Sequence, residues 1–484
     1  MGGDPGNGVP TRGMVSWPGV GGEEMVVVAG FGDNAVARIA AYAAGLRFEA
    51  LSEMAVVRAR QVVLDTLGTM LGGYQTRLGC LAVDYAARMH PGDEATLVGD
   101  GRRTTVEGAA WGNGVTGKHL GLDDAHRTAG HVAAELVPAV LALGEERHLS
   151  GKQLMTALAA GYDVFDAIQS AVDAVQRERG LDHKGQAGTL ASAVSAAVAM
   201  GLEAEQIANA LALSMDMASG TEQYVWDSDS CDTKDLLAGY AARNGIYAAK
   251  LANFGFRGPR GALDGPYGYF HAFGPGFQPA FLDKIGVSYA LASTGFKPHA
   301  GCRYVHAGVD AALELRRGGC PPLDQIVSIE IGSYREAITP AFRATVTPEN
   351  GSQAAFSLPT AVCVALVRGA WYREDIAAYD DPDIRRLLSM TRVYLDDEIQ
   401  SSYPAKNGCV VTFTTRDGVV HTGQVDYAKG EPENMLTDSE LEAKFRRLVG
   451  ELLPESQTVR LIQACSRLEV LADVVDLVKM TVRV

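Results

Sequence analysis

The chain lacks the features that mark membrane, secreted and zinc-binding proteins. Its longest small-apolar run, residues 186–202, is interrupted by Thr189, Ser192 and Ser195, which is typical of a tightly packed interior helix and not of a membrane span. None of the seven cysteines forms a Cys-x-x-Cys pair, and their scattered spacing favours a reduced protein without structural zinc. The N-terminal stretch has no charged region followed by an apolar one, unlike a secretion signal. We therefore expect a cytoplasmic protein.

The chain is also short of positive charge. It has 43 lysines and arginines against 58 aspartates and glutamates, which gives a net charge of −15. Such an acidic surface argues against nucleic acid or an anionic membrane as a partner. The sequence contains no Rossmann fingerprint, no H-E-x-x-H motif and no iron–sulfur cysteine set, so we expect neither a cofactor nor a metal.

The apolar spacing changes along the chain and predicts a mostly α fold with an added α+β domain. Up to about residue 291 apolar residues recur every three or four positions, as in helices. Beyond Gly295 the pattern alternates, and residues 409–415 and 419–425 flank a turn signal at Arg416-Asp417-Gly418, which predicts a hairpin. The predicted organisation is a flexible tail (1–32), a helical bundle domain (33–292), an α+β lid domain (293–430) and C-terminal helices that return to the bundle (431–484).

Cations and histidines are concentrated in four short segments, each at or just before a predicted helix opening. Unpaired backbone N–H groups at helix entrances add partial positive charge, so such segments suit anions. If the segment 297–306 stood alone, a solvated basic loop would be the better explanation of it. Helix openings in an α-rich fold can, however, converge on one pocket. The segments are residues 121–131, 181–189, 232–239 and 297–306.

In this order the four segments resemble the motifs of the MmgE/PrpD family, from about residue 33 to the C-terminus. The resemblance implies a helical domain, a lid domain and a cleft between them, a homodimer, and activity on small anionic carboxylates. The residues that carry it are Asp123, Asp124, His126 and His131; His183 through Thr189; Thr233, Lys234, Gly239, Ala241, Ala242 and Gly245; and Lys297, Pro298, Cys302, Arg303, Tyr304, His306, Asp310 and Ala311.

The resemblance and the residue chemistry together assign the site. Lys234 and Lys297 are predicted to bind substrate carboxylates or stabilise charge, and either could donate a proton if burial lowers its pKa. His131 and His183 are the candidates for general base and general acid, because imidazole titrates near neutral pH. The other predicted substrate-binding residues are Asp123, Asp124, His126, Cys302, Arg303 and His306.

Several of these residues have a structural alternative. Asp124 could cap a helix, since aspartate is favoured at that position. Cys302 could be a small packed residue, and His306 a packed helix histidine. For Arg303 the expected role is a functional one, because its guanidinium could clamp a substrate carboxylate through two hydrogen bonds.

The sequence departs from the family pattern in ways that bear on the reaction. After His131 the family's Pro and hydroxyl residue are missing, and the acidic and hydroxyl residues of its decarboxylase branch are replaced by Gly121 and Ala125. That branch also has a tyrosine in the segment occupied here by residues 357–360. These departures argue against decarboxylation of cis-aconitate and weaken a methylcitrate assignment.

The function that we expect is a cofactor-independent lyase that abstracts a proton next to a carboxylate, as dehydratases do. One alternative is an epimerase, or a biosynthetic decarboxylase or cyclase, acting on an amino-polycarboxylate or another unusual substrate, and it is suggested by the loss of hydroxyl groups around His131 and Thr360. The acidic residues around Lys234 indicate either a solvated acidic loop or a substrate that carries an amine as well as carboxylates; they are Asp227, Asp229, Asp232 and Asp235. The other alternative is a non-catalytic protein that binds carboxylates.

Overall fold

The computed structural model describes residues 34–126, 130–226, 231–319 and 321–483, except the side chains of Val225 and Trp226. Of the predicted tail, 1–32, it describes only the backbone of two paired strands, β1 (Ser16–Pro18) and β2 (Glu24–Val26). The rest of that prediction lies outside the described residues, as do Asp227, Asp229 and Cys320.

The first large region is a bundle of helices with two minor strand pairs. Several of its helices begin where the sequence places a capping residue; Ser150 and Gln153 form the predicted capping box. The elements are α1 (Ala35–Gly45), α2 (Glu53–Tyr74), α3 (Arg77–Met89), β3 (Ala95–Thr96), β4 (Arg103–Thr104), α4 (Val106–His119), β5 (Asp124–Ala125), α5 (Ala133–Arg147), α6 (Gly151–Arg179), α7 (Ala187–Ala199), α8 (Ala204–Ser214), α9 (Gln223–Trp226), α10 (Thr233–Phe254), α11 (Tyr269–Phe273) and β6 (Gly295–Phe296).

Small residues let the central helices of the bundle approach one another closely. A β-carbon on Gly114 of α4 would lie 2.9 Å from the Cα atom of Gly239 of α10. A β-carbon on Gly239 would in turn lie 2.6 Å from the carbonyl oxygen of Trp111. No side chain fits between these backbones, so α10 lies directly against α4 and its first turn is held at a fixed position beside the end of α4.

The second region combines helices with a four-stranded sheet. The sheet order is β10-β9-β7-β8, with β7 and β8 parallel and the other neighbours antiparallel. Inward-facing residues alternate along β9, as a half-buried strand requires. The elements are α12 (His306–Arg317), β7 (Ile326–Ser333), α13 (Arg335–Ile338), α14 (Gly351–Phe356), α15 (Leu358–Arg368), α16 (Arg373–Ile376), α17 (Pro382–Ser389), β8 (Thr391–Leu395), α18 (Asp397–Ser402), β9 (Cys409–Thr415) and β10 (Val420–Val425).

The last region returns to the bundle through α19 (Asp438–Val449), α20 (Glu455–Ser466) and α21 (Val474–Lys479). Thr437 and Glu440 form the capping box predicted for the first of these. Two large apolar cores result. One joins residues 35–296 to residues 436–478, and the other is built from residues 302–428.

The prediction of a mostly α fold with an α+β part is confirmed. The predicted hairpin is present with its turn at residues 416–418. The strand pair between β5 and β6 was not predicted, because two residues are too few to show an alternating pattern. In the described part of the chain, no helix is long and apolar enough to cross a bilayer.

Candidate active site

A cavity of about 1110 Å³ lies between the helical region and the α+β region, and residues of both line it. All four cationic segments contribute to its wall. Among the described residues, nine lysine and arginine side chains and six carboxylates face it. The predicted site residues on the wall are Asp123, His126, His131, His183, Lys234, Lys297, Cys302 and Arg303.

The antiparallel pair β5–β6 brings two distant segments of the site together. Asp124 is the register partner of Phe296, so the residues beside them, Asp123 and Lys297, become neighbours. The Nζ atom of Lys297 lies 3.0 Å from Oδ1 of Asp123. Lys118, at the end of α4, donates to the other carboxylate oxygen. One buried carboxylate therefore holds two buried ammonium groups beside the cavity.

The loop that carries Asp123 is supported from behind by the C-terminal helix α19. Lys444 donates a hydrogen bond to the carbonyl oxygen of Leu122. Its Nζ atom also lies 2.6 Å from Oδ1 of Asp65, in α2, and both side chains are almost fully buried. This pair locks the position of the loop, and with it the position of Asp123.

The buried charges shift one another's pKa. Burial raises the pKa of the Asp123 carboxyl, but Lys118 and Lys297 outweigh that effect and hold it well below its usual range. Burial lowers the pKa of Lys118, yet the neighbouring Asp123 carboxylate outweighs this effect and raises it above its ordinary value. For Lys297 burial dominates, and it lowers the pKa to about 8. Lys297 is thus a cation that can release a proton near neutral pH.

The two predicted catalytic histidines lie side by side, with ring centroids 5.8 Å apart. Nδ1 of His131 lies 2.7 Å from the carbonyl oxygen of Asp124, which can only accept, so Nδ1 carries the proton and Nε2 is left as a base. Desolvation, reinforced by Lys118 and Lys297, holds the pKa of His131 well below its usual value. His131 is therefore neutral at neutral pH.

His183 is neutral as well. Desolvation and Lys184 lower its pKa to about 3. Its Nε2 atom accepts a hydrogen bond of 3.4 Å from the backbone N–H of His131. Gly130 makes this close packing possible, because it has φ +85° and a β-carbon there would lie 2.8 Å from Nε2 of His183.

Lys234 reaches the cavity from the first turn of α10. Its side chain is 28% exposed, and its Nζ atom lies 3.2 Å from Asp235. Asp235 also binds Nδ1 of His119 at 2.7 Å, and these charges hold its pKa at about 2 against the effect of burial. Asp235 thus holds Lys234 through its ammonium group, and the side chain lines the cavity.

Two predicted substrate-binding residues do not line the cavity. Asp124 is buried, and its Oδ1 atom accepts hydrogen bonds of 3.1 and 3.0 Å from the N–H groups of Val132 and Ala133 at the start of α5. Its carboxylate therefore binds the first N–H groups of α5 from another segment of the chain, whereas the N-cap position predicted as its structural alternative is occupied by Val132. His306 is fully buried and lies 3.2 Å from Arg303.

The other predicted residues reach the wall with part of their bonding capacity already used. Arg303 lies 3.0 Å from Glu431, so its guanidinium is already paired with a carboxylate. Cys302 is 9% exposed and offers little surface to a ligand. His126 forms a backbone bridge with Gly130, and its Nδ1 atom lies 3.6 Å from Asp166.

Three buried ionisable groups were missed from the sequence. The first is Lys118, which lies in a helix of small apolar residues and pairs with Asp123. The second is Lys184, which pairs with Asp182. The hydroxyl of Tyr224 donates a hydrogen bond to the same Asp182 carboxylate. The spacing Lys118-x-x-x-x-Asp123 was the available signal. The third group is Glu135, whose side chain is fully buried with no hydrogen-bond partner for either oxygen.

Glu135 should make the stability of the protein depend on pH. Burial raises its pKa to about 8, so it folds as the neutral acid. The unfolded chain releases this proton above about pH 4.5, and stability is therefore lost as the pH rises from there to about 8. We expect Glu135→Gln to remove this loss, so that its free energy of unfolding relative to the wild type rises by up to about 1.4 kcal/mol per pH unit in that window. Urea denaturation at pH 5, 6, 7 and 8 measures the difference; a constant difference contradicts the assignment.

A deep cavity that holds paired lysines and neutral histidines between two packed regions is the arrangement of an enzyme site. Two family models match the chain: the MmgE/PrpD N-terminal domain over residues 37–282 and the MmgE/PrpD C-terminal domain over residues 299–468. The chain belongs to the MmgE/PrpD family, as its motifs predicted.

Curated relatives match nearly the whole chain at low identity. A cis-aconitate decarboxylase of Homo sapiens is 26% identical over 458 residues, which covers 89% of this chain and 90% of that protein. One of Mus musculus is 24% identical over 452 residues, 89% of each chain. One of Aspergillus terreus is 22% identical over 469 residues, 92% of this chain and 95% of that protein. These relatives confirm the prediction of an enzyme of the lyase type.

Proposed function

We propose that the chain is a cofactor-independent lyase acting on a small polycarboxylate, and that its reaction begins or ends with proton transfer at a carbon next to a carboxylate. The observation that carries the proposal is the buried arrangement of Lys118, Asp123 and Lys297 beside the neutral imidazole of His131. Cations of this kind stabilise the negative charge that develops when a carbon next to a carboxylate loses a proton or CO2.

His131 is the proposed base. Its Nδ1 proton is held by the carbonyl oxygen of Asp124, which leaves the Nε2 lone pair to accept a proton from substrate carbon. The depressed pKa keeps this imidazole in its basic form. His183 packs beside it and fixes its position through the backbone of residues 130 and 131.

Lys297 is the proposed acid, and Lys234 the proposed carboxylate binder. With a pKa of about 8, Lys297 is protonated at neutral pH yet able to give up its proton. In a dehydration it would protonate the departing hydroxyl group, so that His131 gains a proton, Lys297 loses one and water leaves. In a decarboxylation it would protonate the carbon that retains the electrons of the broken C–C bond.

The observations leave two lyase reactions for this site. The relatives named above are decarboxylases, whereas the departures at Gly121, Ala125 and residues 357–360 remove side chains of that branch. A neutral base beside a cation fits the proton abstraction of a dehydration, and the cation fits the protonation of carbon that completes a decarboxylation. We favour dehydration, with decarboxylation as the second candidate; the epimerase alternative is less well supported because both histidines lie together on one part of the wall.

Product analysis on a panel of carboxylates tests the proposal. Citrate, 2-methylcitrate, cis-aconitate and aspartate-derived polycarboxylates are incubated with the enzyme in deuterated water and followed by NMR. Loss of water with a new alkene supports dehydration, and loss of CO2 supports the second candidate. Exchange of a C–H for deuterium without elimination favours an epimerase. A panel with no turnover, also at elevated enzyme concentration, contradicts the proposal.

The dependence of kcat on pH should report the protonation state of Lys297. If its ammonium form delivers the proton, kcat must fall as the pH rises through about 8. Arginine stays protonated at this pH, so Lys297→Arg should remove the fall while lowering the maximum rate, because a guanidinium gives up its proton poorly. Rate measurements from pH 6 to 10 on both proteins check this result. A fall at the same pH in the variant would assign the titration to another group.

A further inference from the structure

Lys184 is a cation of the cavity wall to which the proposed reaction gives no role. Its side chain is 4% exposed and lines the cavity, as does the imidazole of the preceding residue, His183. A buried ammonium group is costly unless its charge is paired and its three N–H groups find acceptors. The contacts of Lys184 therefore show how much of its bonding capacity is still open to a ligand.

The carboxylate of Asp182 holds Lys184 at a fixed position. Its Oδ2 atom lies 2.5 Å from Nζ of Lys184, and its Oδ1 atom accepts a hydrogen bond of 2.8 Å from the backbone N–H of the same lysine. The hydroxyl of Tyr224 also donates to Oδ2, at 2.8 Å. Asp182 is fully buried, so this carboxylate anchors the lysine from inside the protein and is not a group that a substrate meets.

One carboxylate uses only part of each ammonium group's bonding capacity. Among the residues that the structure describes, Nζ of Lys184 hydrogen-bonds only to Asp182, and Nζ of Lys118 only to Asp123. An ammonium group has three N–H donors, so each of these lysines retains two without an acceptor. Asp123 also pairs with Lys297, so three ammonium groups share two carboxylates. Lys118 and Lys184 therefore have the capacity to bind another anionic group.

Lys118 and Lys184 are both close neighbours of the two imidazoles. Burial, Lys184 and Lys118 all lower the pKa of His183, and burial and Lys118 lower that of His131. The interaction of charges weakens with distance, so cations that act on the same imidazole lie near it and near each other. Lys118, Lys184 and both histidines line the cavity. An anion that binds the two lysines would therefore lie beside the imidazole pair.

We propose that Lys184, together with Lys118, binds a third substrate carboxylate beside His183, and that Lys184 is thereby a specificity-determining residue. The inference rests on the proposed function, and it leaves two other carboxylates to Lys234 and Lys297. Hydrogen bonds between an ammonium group and a carboxylate are among the strong ones in proteins. The position should therefore distinguish an acid with three carboxylates from one of the same length with two.

Two probes that differ by one carboxylate test the position. Tricarballylate and glutarate have the same main chain, and only tricarballylate carries a carboxylate on its central carbon. We expect calorimetry to show that the wild type binds tricarballylate about tenfold to a hundredfold more tightly, as hydrogen bonds to a charged group contribute. In Lys184→Met this preference should fall below about threefold, while the affinity for glutarate stays within about twofold of the wild type.

A second variant separates binding from folding. Lys184→Met leaves the buried carboxylate of Asp182 without its cation, which destabilises the fold. Combining it with Asp182→Asn removes both charges, so the double variant should be folded in urea denaturation and show the same loss of preference. Lys250→Met is the matched control, because Lys250 also pairs with carboxylates, those of Glu107 and Glu146, but does not line the cavity. It should keep the wild-type preference.

The outcomes separate the third position from the proposed function. If the wild type binds both probes equally well, the third position is refuted while the site for two carboxylates stands. A preference that survives in both Lys184 variants means that the third carboxylate binds elsewhere, and an equal weakening of both probes means a general change of the cavity; either result overturns the inference. If neither probe binds the wild type, the carboxylate site of the proposed function fails, and the third position fails with it.

Discussion

Replacing His131 with asparagine should lower kcat by about 10²–10⁴-fold, the contribution typical of a positioned acid or base. Asparagine can keep the hydrogen bond that Nδ1 makes to the carbonyl oxygen of Asp124, so the loop should stay in place. What the variant loses is the Nε2 lone pair. We therefore expect KM to change little while kcat collapses, as steady-state kinetics on the substrate found in the panel would show.

His148→Asn is the matched control for this variant. His148 is exposed and contacts Asp473, and its φ of +55° is one that asparagine tolerates well. Its kcat should stay within about twofold of the wild type, since surface substitutions away from special features change little. A His131→Asn enzyme with near-normal kcat would show that another group takes the proton.

Replacing Asp123 with asparagine should destabilise the fold by about 3–5 kcal/mol, because two buried ammonium groups lose their shared counterion. The pKa of Asp123 is depressed in the folded state, so its contribution is complete above about pH 4 and is lost only as the pH falls through the lower folded-state pKa. Urea denaturation at pH 7 measures the full effect. The variant should also lose activity, since Lys297 is no longer oriented.

A second substitution shows whether charge causes the loss. Adding Lys297→Met to Asp123→Asn removes one of the two unpaired cations, so the double variant should be more stable than the single one. Asp476→Asn serves as a surface control, because Asp476 forms an exposed pair with Lys479 and should leave the denaturation midpoint unchanged. An equal loss in the single and double variants would mean that packing, not charge, is responsible.

Much of the fold could be predicted because local signals agree with it. The capping pairs Ser150–Gln153 and Thr437–Glu440 open the helices that they mark, and the turn at residues 416–418 joins the two strands that flank it. The position of four polar segments at helix openings also predicted eight residues that line the cavity, although Asp124 and His306 from the same segments do not. These features are read over a few neighbouring residues, where sequence and structure correspond most directly.

What could not be predicted depends on contacts between distant residues. The pair of Asp123 with Lys297 is set by two strands of two residues each, far too short to leave a pattern. In the sequence Lys118 cannot be distinguished from an ordinary helix residue. Only the fold places the carboxylate of Asp123 beside its ammonium group. Asp124 belongs to the same motif as Asp123, but its carboxylate accepts hydrogen bonds from the first N–H groups of α5. Which of the two carboxylates contacts the helix is decided only by the folded conformation of the loop.

The most direct test of the central claim is a crystal structure of the enzyme grown with tricarballylate, a tricarboxylate without a hydroxyl group to eliminate. Our account predicts density in the cavity, with carboxylate oxygens within hydrogen-bond distance of the Nζ atoms of Lys234 and Lys297 and the carbon chain against His131. Tricarballylate bound at another surface, with this cavity holding only water at saturating ligand, would contradict it.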